Sequence, residues 1–171
     1  AMTRQAISRD KLAELLWADT PPNKSRASLR TALYELTSDH DSEWLVTEQD
    51  YVSVNHEMIE LDVEVFKRYV TQGHEHQHDD DILCEQCLIA LQSAEQLYSN
   101  HFLADFYVSG SPEFEHWQSI QADIFQREYE SLLERLAHHY HKSATVGIEK
   151  AITYAMRWLQ ADTLNEPAPR L

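Results

Sequence analysis

Apolar residues along most of this chain recur every three or four positions, the period of a helix that buries one face. From Ser8 to Trp17, residues Leu12, Leu15 and Leu16 form one stripe, and Ser8 can cap the helix, with Lys11 where a full capping box would carry Glu. Thr20-Pro21-Pro22-Asn23 interrupts the pattern as a loop ending in a cap at Asn23. Lys24 to Thr37 predicts a second helix with Leu29, Ala32, Leu33 and Leu36 on one side. Its other side carries Lys24, Ala27, Arg30, Thr31 and Tyr34, with Arg26 on the flank. After Asp41 the period changes. Trp44-Leu45-Val46-Thr47 and Tyr51-Val52-Ser53-Val54 are β-branched and aromatic, and Glu48-Gln49-Asp50 separates them, which predicts a hairpin. Two helices followed by a hairpin is the order of a winged helix-turn-helix, and also of other small α+β units.

From Asp62 the helical period returns. Asp62 can cap a helix to about Val70, with Val65, Phe66 and Tyr69 inward. Gly73 to Asp81 reads as a polar linker. Ile82 to Leu97 predicts a long helix that offers Leu83, Cys87, Ile89, Ala90, Leu91, Ala94 and Leu97 to a core. Residues 99 to 112 are irregular around Gly110 and Pro112. Glu113 to Tyr140 is the longest predicted helix, stepping by three or four through Phe114, Trp117, Ile120, Ile124, Phe125, Tyr129, Leu132, Leu133 and Leu136. A last helix from about Val146 to Ala161 uses Ala151, Tyr154, Ala155, Trp158 and Leu159. Paired antiparallel helices with small residues where they meet suggest a tetratricopeptide-like array, without an exact repeat of about 34 residues.

Composition narrows this to a mainly α protein. With 3 Gly in 171 residues, both a many-stranded sheet and a phosphate-cradling glycine loop are disfavoured. No apolar run reaches the ~20 residues that span a bilayer, and no signal-peptide profile opens the chain. Two cysteines form no disulfide framework, which fits a reducing, cytoplasmic setting. Ala1 ahead of Met2 reads as a residue left by cloning; either Met2 is the start, or the chain is a piece of a longer protein. The net charge of −15 opposes contact with phosphate over the whole surface. Residues 3 to 34 are the exception, with six basic and three acidic side chains, whereas residues 35 to 61 hold eight acidic side chains and no Lys or Arg. Any nucleic-acid contact is therefore expected from the first 34 residues.

The chemistry on offer is sparse. No nucleophile motif or paired-acid signature appears, so no enzyme and no cofactor are expected. His74, His76 and His78 precede Asp79, Asp80 and Asp81, with Cys84 and Cys87 just beyond. Imidazole and thiolate suit zinc, and Cys-x-x-Cys is a ligand spacing. The favoured reading is nonetheless a solvated loop without metal, with the cysteines packed in a helix as small apolar groups. His138, His139 and His141 would complement the dipole at a helix C-terminus. Trp17, Trp44, Trp117 and Trp158 are expected as core anchors.

Several segments resemble a known family. Ser8-Arg9-Asp10-Lys11-Leu12-Ala13-Glu14-Leu15-Leu16-Trp17 and Arg26-Ala27-Ser28-Leu29-Arg30-Thr31-Ala32-Leu33-Tyr34-Glu35-Leu36 resemble the second and recognition helices of the winged helix in bacterial activators of the antibiotic-regulatory type. Leu61-Asp62-Val63-Glu64-Val65-Phe66 resembles the start of their bacterial transcriptional activator domain, and Ala94-Glu95-Gln96-Leu97-Tyr98, Phe102-Leu103, Phe114-Glu115-His116-Trp117 and Leu164-Asn165-Glu166-Pro167 follow in order. The resemblance implies a transcription regulator. Residues 1–61 would form a partial winged helix, since only seven residues precede Ser8, and residues 62–171 a tetratricopeptide-like activation domain. It places Arg30, Thr31 and Tyr34 toward DNA, and Lys24 and Arg26 near phosphates. Expected partners are promoter DNA and, through a concave surface near residues 82–98 and 113–140, the transcription machinery or another protein. Self-association is compatible with reading repeated sites. The competing expectation is a helical-repeat scaffold that binds protein and no DNA, and a weaker third is a hydrolase or metalloprotein built on the histidine–cysteine stretch.

Overall fold

The computed structural model describes residues 5–38, 42–76, 78, 82–143 and 147–163. They form six α-helices and a small three-stranded sheet, in the order β1 (Ile7–Ser8), α1 (Arg9–Leu16), α2 (Pro22–Ser38), β2 (Leu45–Thr47), β3 (Tyr51–Val54), α3 (Asp62–Gly73), α4 (Glu85–Leu97), α5 (Pro112–Lys142) and α6 (Ile148–Thr163). The chain divides into two compact units: the described residues up to Leu61 together with Leu103–Ile120, and Asp62–Phe102 together with those from Gln121 onward.

In the first unit Ser8 caps α1, its hydroxyl accepting the Lys11 amide at 3.2 Å. The same residue closes β1, which pairs antiparallel with β3 through Ile7 opposite Val52 and Ser8 opposite Tyr51. β2 flanks β3 on its other side, with Leu45 opposite Val54 and Thr47 opposite Val52, so β3 is central. A two-residue strand has no readable period, and β1 is invisible to hydropathy alone. Ala13, Leu29, Leu33 and Val52 form the core, with Leu12, Trp17 and Leu45 packed against it. α2 starts two residues earlier than expected, and Asn23 is not its cap. Pro22 fits the first turn because the N–H it lacks would be unpaired there, and the Pro21 carbonyl accepts the amides of Lys24 and Ser25 at 2.8 and 3.1 Å. Trp44 lies in a 3-10 turn rather than in the strand.

The second stretch of this unit is held by polar contacts. Ser111 is fully buried, and its hydroxyl donates to the Leu15 carbonyl at the end of α1. Gln118 donates through Nε2 to the carbonyls of Leu103 and Phe106, at 2.8 and 3.1 Å, which ties the irregular loop to α5. Phe106 and Phe114 meet edge-to-face at 5.8 Å between ring centroids.

The second unit contains two antiparallel helix pairs. Gln72 of α3 meets Cys87 near the start of α4, whereas Phe66, further back in α3, meets Tyr98 just beyond α4. Gln126 of α5 meets Ala161 near the end of α6, whereas Tyr140 stacks on Tyr154. Leu91, Leu132, Leu133 and Leu136 are fully buried, each contributing about 1.5–3 kcal/mol of hydrophobic free energy. An aromatic column runs beside them, with Phe66 edge-on to Phe125 at 6.0 Å and Tyr98 stacked on Tyr129 at 4.2 Å. The buried Gln126 amide is satisfied throughout. It accepts from the Tyr98 hydroxyl at 2.9 Å and donates to Glu130 at 2.9 Å and to the Ala161 carbonyl at 3.0 Å.

The expected helices are present with shifted ends and a narrower apolar face. α4 begins at Glu85 instead of Ile82, and Leu83, ahead of it, gives its amide to His139 Nδ1 at 3.1 Å. Ile89, Leu97, Ile120, Ile124 and Leu159, all expected inward, are exposed. The four tryptophans are half-buried, so smaller residues such as Leu and Ala fill the core in their place. No helix among the described residues is long and apolar enough to cross a membrane.

Candidate functional site

α2 presents Lys24, Arg26, Arg30, Thr31 and Tyr34 to solvent, because Ser25, Leu29 and Leu33 take its buried side. Tyr34 is 72% exposed, far beyond what an aromatic kept for packing would show. The side chains are not equally available. Arg26 is engaged by Asp10 of α1 through two bonds, Nε to Oδ1 at 2.6 Å and Nη2 to Oδ2 at 2.7 Å. The Thr31 hydroxyl donates to the Ala27 carbonyl at 3.2 Å, one turn back in its own helix. Arg30 and Lys24 make no side-chain hydrogen bond or ion pair with the described residues.

A cleft of about 350 Å³ lies at the base of this face, lined by Arg9, Asp10, Arg26, Leu29, Arg30, Gln49 and Asp50. It gathers three guanidinium groups from α1 and α2 beside the β2–β3 turn. Arg9 is fixed there by donating from Nε to the Glu48 carbonyl at 3.0 Å. Arg9 and Gln49 were not singled out from the sequence. The signal for Arg9 lay in the basic excess of residues 3 to 34, whereas Gln49 joins only through the tertiary fold.

In the second unit, four of the five suspected metal ligands converge. The donor atoms of His76, His78, Cys84 and Cys87 all lie within 4.8 Å of one another. His76 Nδ1 is 3.2 Å from Cys87 Sγ and 3.8 Å from Cys84 Sγ. The rings of His76 and His78 meet edge-on at 5.9 Å. His74 is outside this cluster; partial burial, with the charge of Arg135 adding, holds its imidazole below the usual range. α4 explains how the thiols are placed. Cys84 is the residue before its first turn and Cys87 lies one turn on, so both sulfurs face the same side. The Cys84 side chain makes no full capping bond, yet the nearby Cys87 amide holds its thiol below the ordinary value. Burial pushes the Cys87 thiol up, and it rests against the Gln72 carbonyl at 3.5 Å.

His139 also departs from its expected role at a helix end. It is buried, and the loss of hydration, with His78 adding, keeps its imidazole below the usual range. A neutral ring can accept the Leu83 amide, which a protonated one could not.

α6 carries an exposed apolar row of Ile148, Ile152, Met156 and Leu159. The row is carried by α6, which is not one of the segments 82–98 and 113–140 expected to line a partner surface, although Ile152 shares a surface pocket with Ala137 and His138 of α5. No protein-family model, curated protein or solved structure matches this chain.

Proposed function

We propose that this protein is a transcription-regulator module whose first unit reads DNA through α2 and whose helical unit makes protein contacts. The observation that carries the reading is the pairing of β1 with β3, in the sheet order β1-β3-β2 around α1 and α2. A winged helix is built this way, with the second helix of the pair free to enter a major groove. In this reading Arg30 and Tyr34 meet base edges, and Lys24, Arg9 and Arg26 lie along phosphates. The tetratricopeptide-like character of the second unit belongs to the same proposal, supported by its two antiparallel helix pairs. The exposed row on α6 supports protein contacts by that unit, because grouped apolar residues on a surface mark interaction sites. The second reading, a scaffold that binds protein alone, draws support from the net charge of −15 and from the Asp10 carboxylate that occupies Arg26.

Fluorescence anisotropy with the duplex upstream of the protein's own gene, a scrambled duplex and a salt series separates the two. Preference for the upstream duplex, weakening with salt, supports the regulator. Arg30→Ala should then cost about 1–3 kcal/mol if the residue reads a base, or lower the salt slope by about 1 if it neutralises a phosphate. Absence of binding at low salt would leave the scaffold.

A further inference from the structure

We infer that His76, His78, Cys84 and Cys87 bind one zinc ion, which clasps the end of α3 to the start of α4. Four soft or borderline donors at one point form the donor set of a closed tetrahedral zinc site. In a tetrahedron with bonds of about 2.0–2.3 Å, neighbouring donors lie about 3.3–3.8 Å apart. His76 Nδ1 stands 3.2 and 3.8 Å from the two sulfurs, so it needs little movement to close around an ion.

A second observation points the same way. His78 Nε2 is buried and has no hydrogen-bond partner among the described residues. An imidazole nitrogen withdrawn from water and left unpaired costs free energy that a bound ion would recover. Packing alone explains Cys87, which is fully buried, but not Cys84, which is exposed at the mouth of the same cluster.

The chemistry balances without a further reactant. Binding displaces one proton from each thiol, and the two thiolates neutralise the 2+ charge while both imidazoles remain neutral. The Cys87 proton now directed at the Gln72 carbonyl is one of the two released. With four protein ligands no position stays open for water or substrate, so the ion is structural rather than catalytic. It takes two ligands from the segment after α3 and two from the start of α4, Cys84 just before the helix and Cys87 within its first turn.

The test uses the full chain with its thiols reduced. Zinc uptake is measured by equilibrium dialysis and elemental analysis, and Co²⁺ serves as the spectroscopic probe. The expected result is one zinc per chain at micromolar free metal, with the intense visible bands of tetrahedral Co²⁺ and a thiolate-to-metal band in the near ultraviolet. Loss of partners that only support a ligand typically weakens metal binding roughly 10–100-fold, so Cys84→Ser and His78→Gln should each weaken it by more than about 100-fold. His74→Gln, outside the cluster, should leave the affinity unchanged. Circular dichroism checks that the variants fold, and the Co²⁺ spectrum of the unaltered chain stands without them. Zinc uptake well below one per chain, weak octahedral Co²⁺ bands, or ready closure of a Cys84–Cys87 disulfide in the presence of excess zinc would each overturn the site.

Discussion

Asp10 holds Arg26 in a two-point grip, with both guanidinium-to-carboxylate bonds at or below 2.7 Å. The pair joins α1 to α2 on the face proposed to meet DNA, and both side chains are more than half exposed. An exposed pair of this kind contributes no more than about 1 kcal/mol to stability. Its larger effect is on availability, because a phosphate must compete with the carboxylate for Arg26. Asp10→Asn should therefore raise affinity for duplex DNA and steepen the salt dependence by about one released counterion. The melting temperature should barely change. Unaltered DNA affinity in a folded Asp10→Asn variant would remove Arg26 from the interface.

Leu132 and Tyr34 should respond oppositely to truncation. Leu132 is fully buried, and Leu132→Ala should cost about 2–5 kcal/mol in urea unfolding, the range for a cavity in a packed core. Tyr34 faces water, so Tyr34→Ala should change stability by less than about 0.5 kcal/mol while weakening DNA binding. A large stability loss at Tyr34 would mean that its ring is a packing group.

Gly73 ends α3 against Leu91, and a Cβ at this position would overlap the Leu91 side chain. Leu91 is fully buried and has little room to retreat. Gly73→Ala should then cost about 1–3 kcal/mol, the usual effect of overpacking, despite the better helix propensity of alanine. Gly147 is stricter, because the obstacle there is the backbone carbonyl of Tyr140. Gly147→Ala should be the worse of the two in the same thermal melt.

Tyr98 gives an alkaline signature. Burial pushes its hydroxyl up to about 12, with Tyr129 and Glu130 adding to the effect, and burial raises Tyr129 and Tyr154 in the same direction. An unfolded tyrosine ionises near pH 10, so the unfolded chain releases its proton first. The stability contribution is complete below about pH 10 and is lost as pH rises through about 12. Urea midpoints measured with tyrosinate absorbance should fall across that window. Tyr98→Phe should reduce the fall, at the cost of the hydrogen bond to Gln126 at neutral pH.

Much of the helical scaffold was legible because its signal is local. The periodic placement of Leu132, Leu133 and Leu136, and the Ser8 cap, can be read from a few neighbouring residues. Burial on individual faces was less legible. Ile120 and Leu159 sit at helical spacing yet face water, since a periodic apolar position records what a helix can bury and not whether a neighbour arrives. The candidate sites show the same division. The exposed face of α2 followed from angular position along one helix, whereas the Asp10–Arg26 pair and the cleft with Arg9 and Gln49 need three elements brought together. The histidine–cysteine stretch is visible in the sequence, but alternating histidines beside a Cys-x-x-Cys fit a solvated loop as readily as a metal site. The observations behind the zinc proposal, the convergence of four donors and the isolation of His78 Nε2, exist only once α4 turns Cys84 and Cys87 toward the preceding segment.

The first unit draws on two stretches far apart in the sequence, and Ser111, from the second of them, fills a buried position against α1. A ribosome would therefore finish the residues around α2 well before it supplied the piece that completes their unit. A shortened chain ending at Leu61 would carry every DNA-facing side chain and still lack part of its own interior. The proposed reading head is thus no detachable cassette: α3 and α4 must be synthesised before it can close.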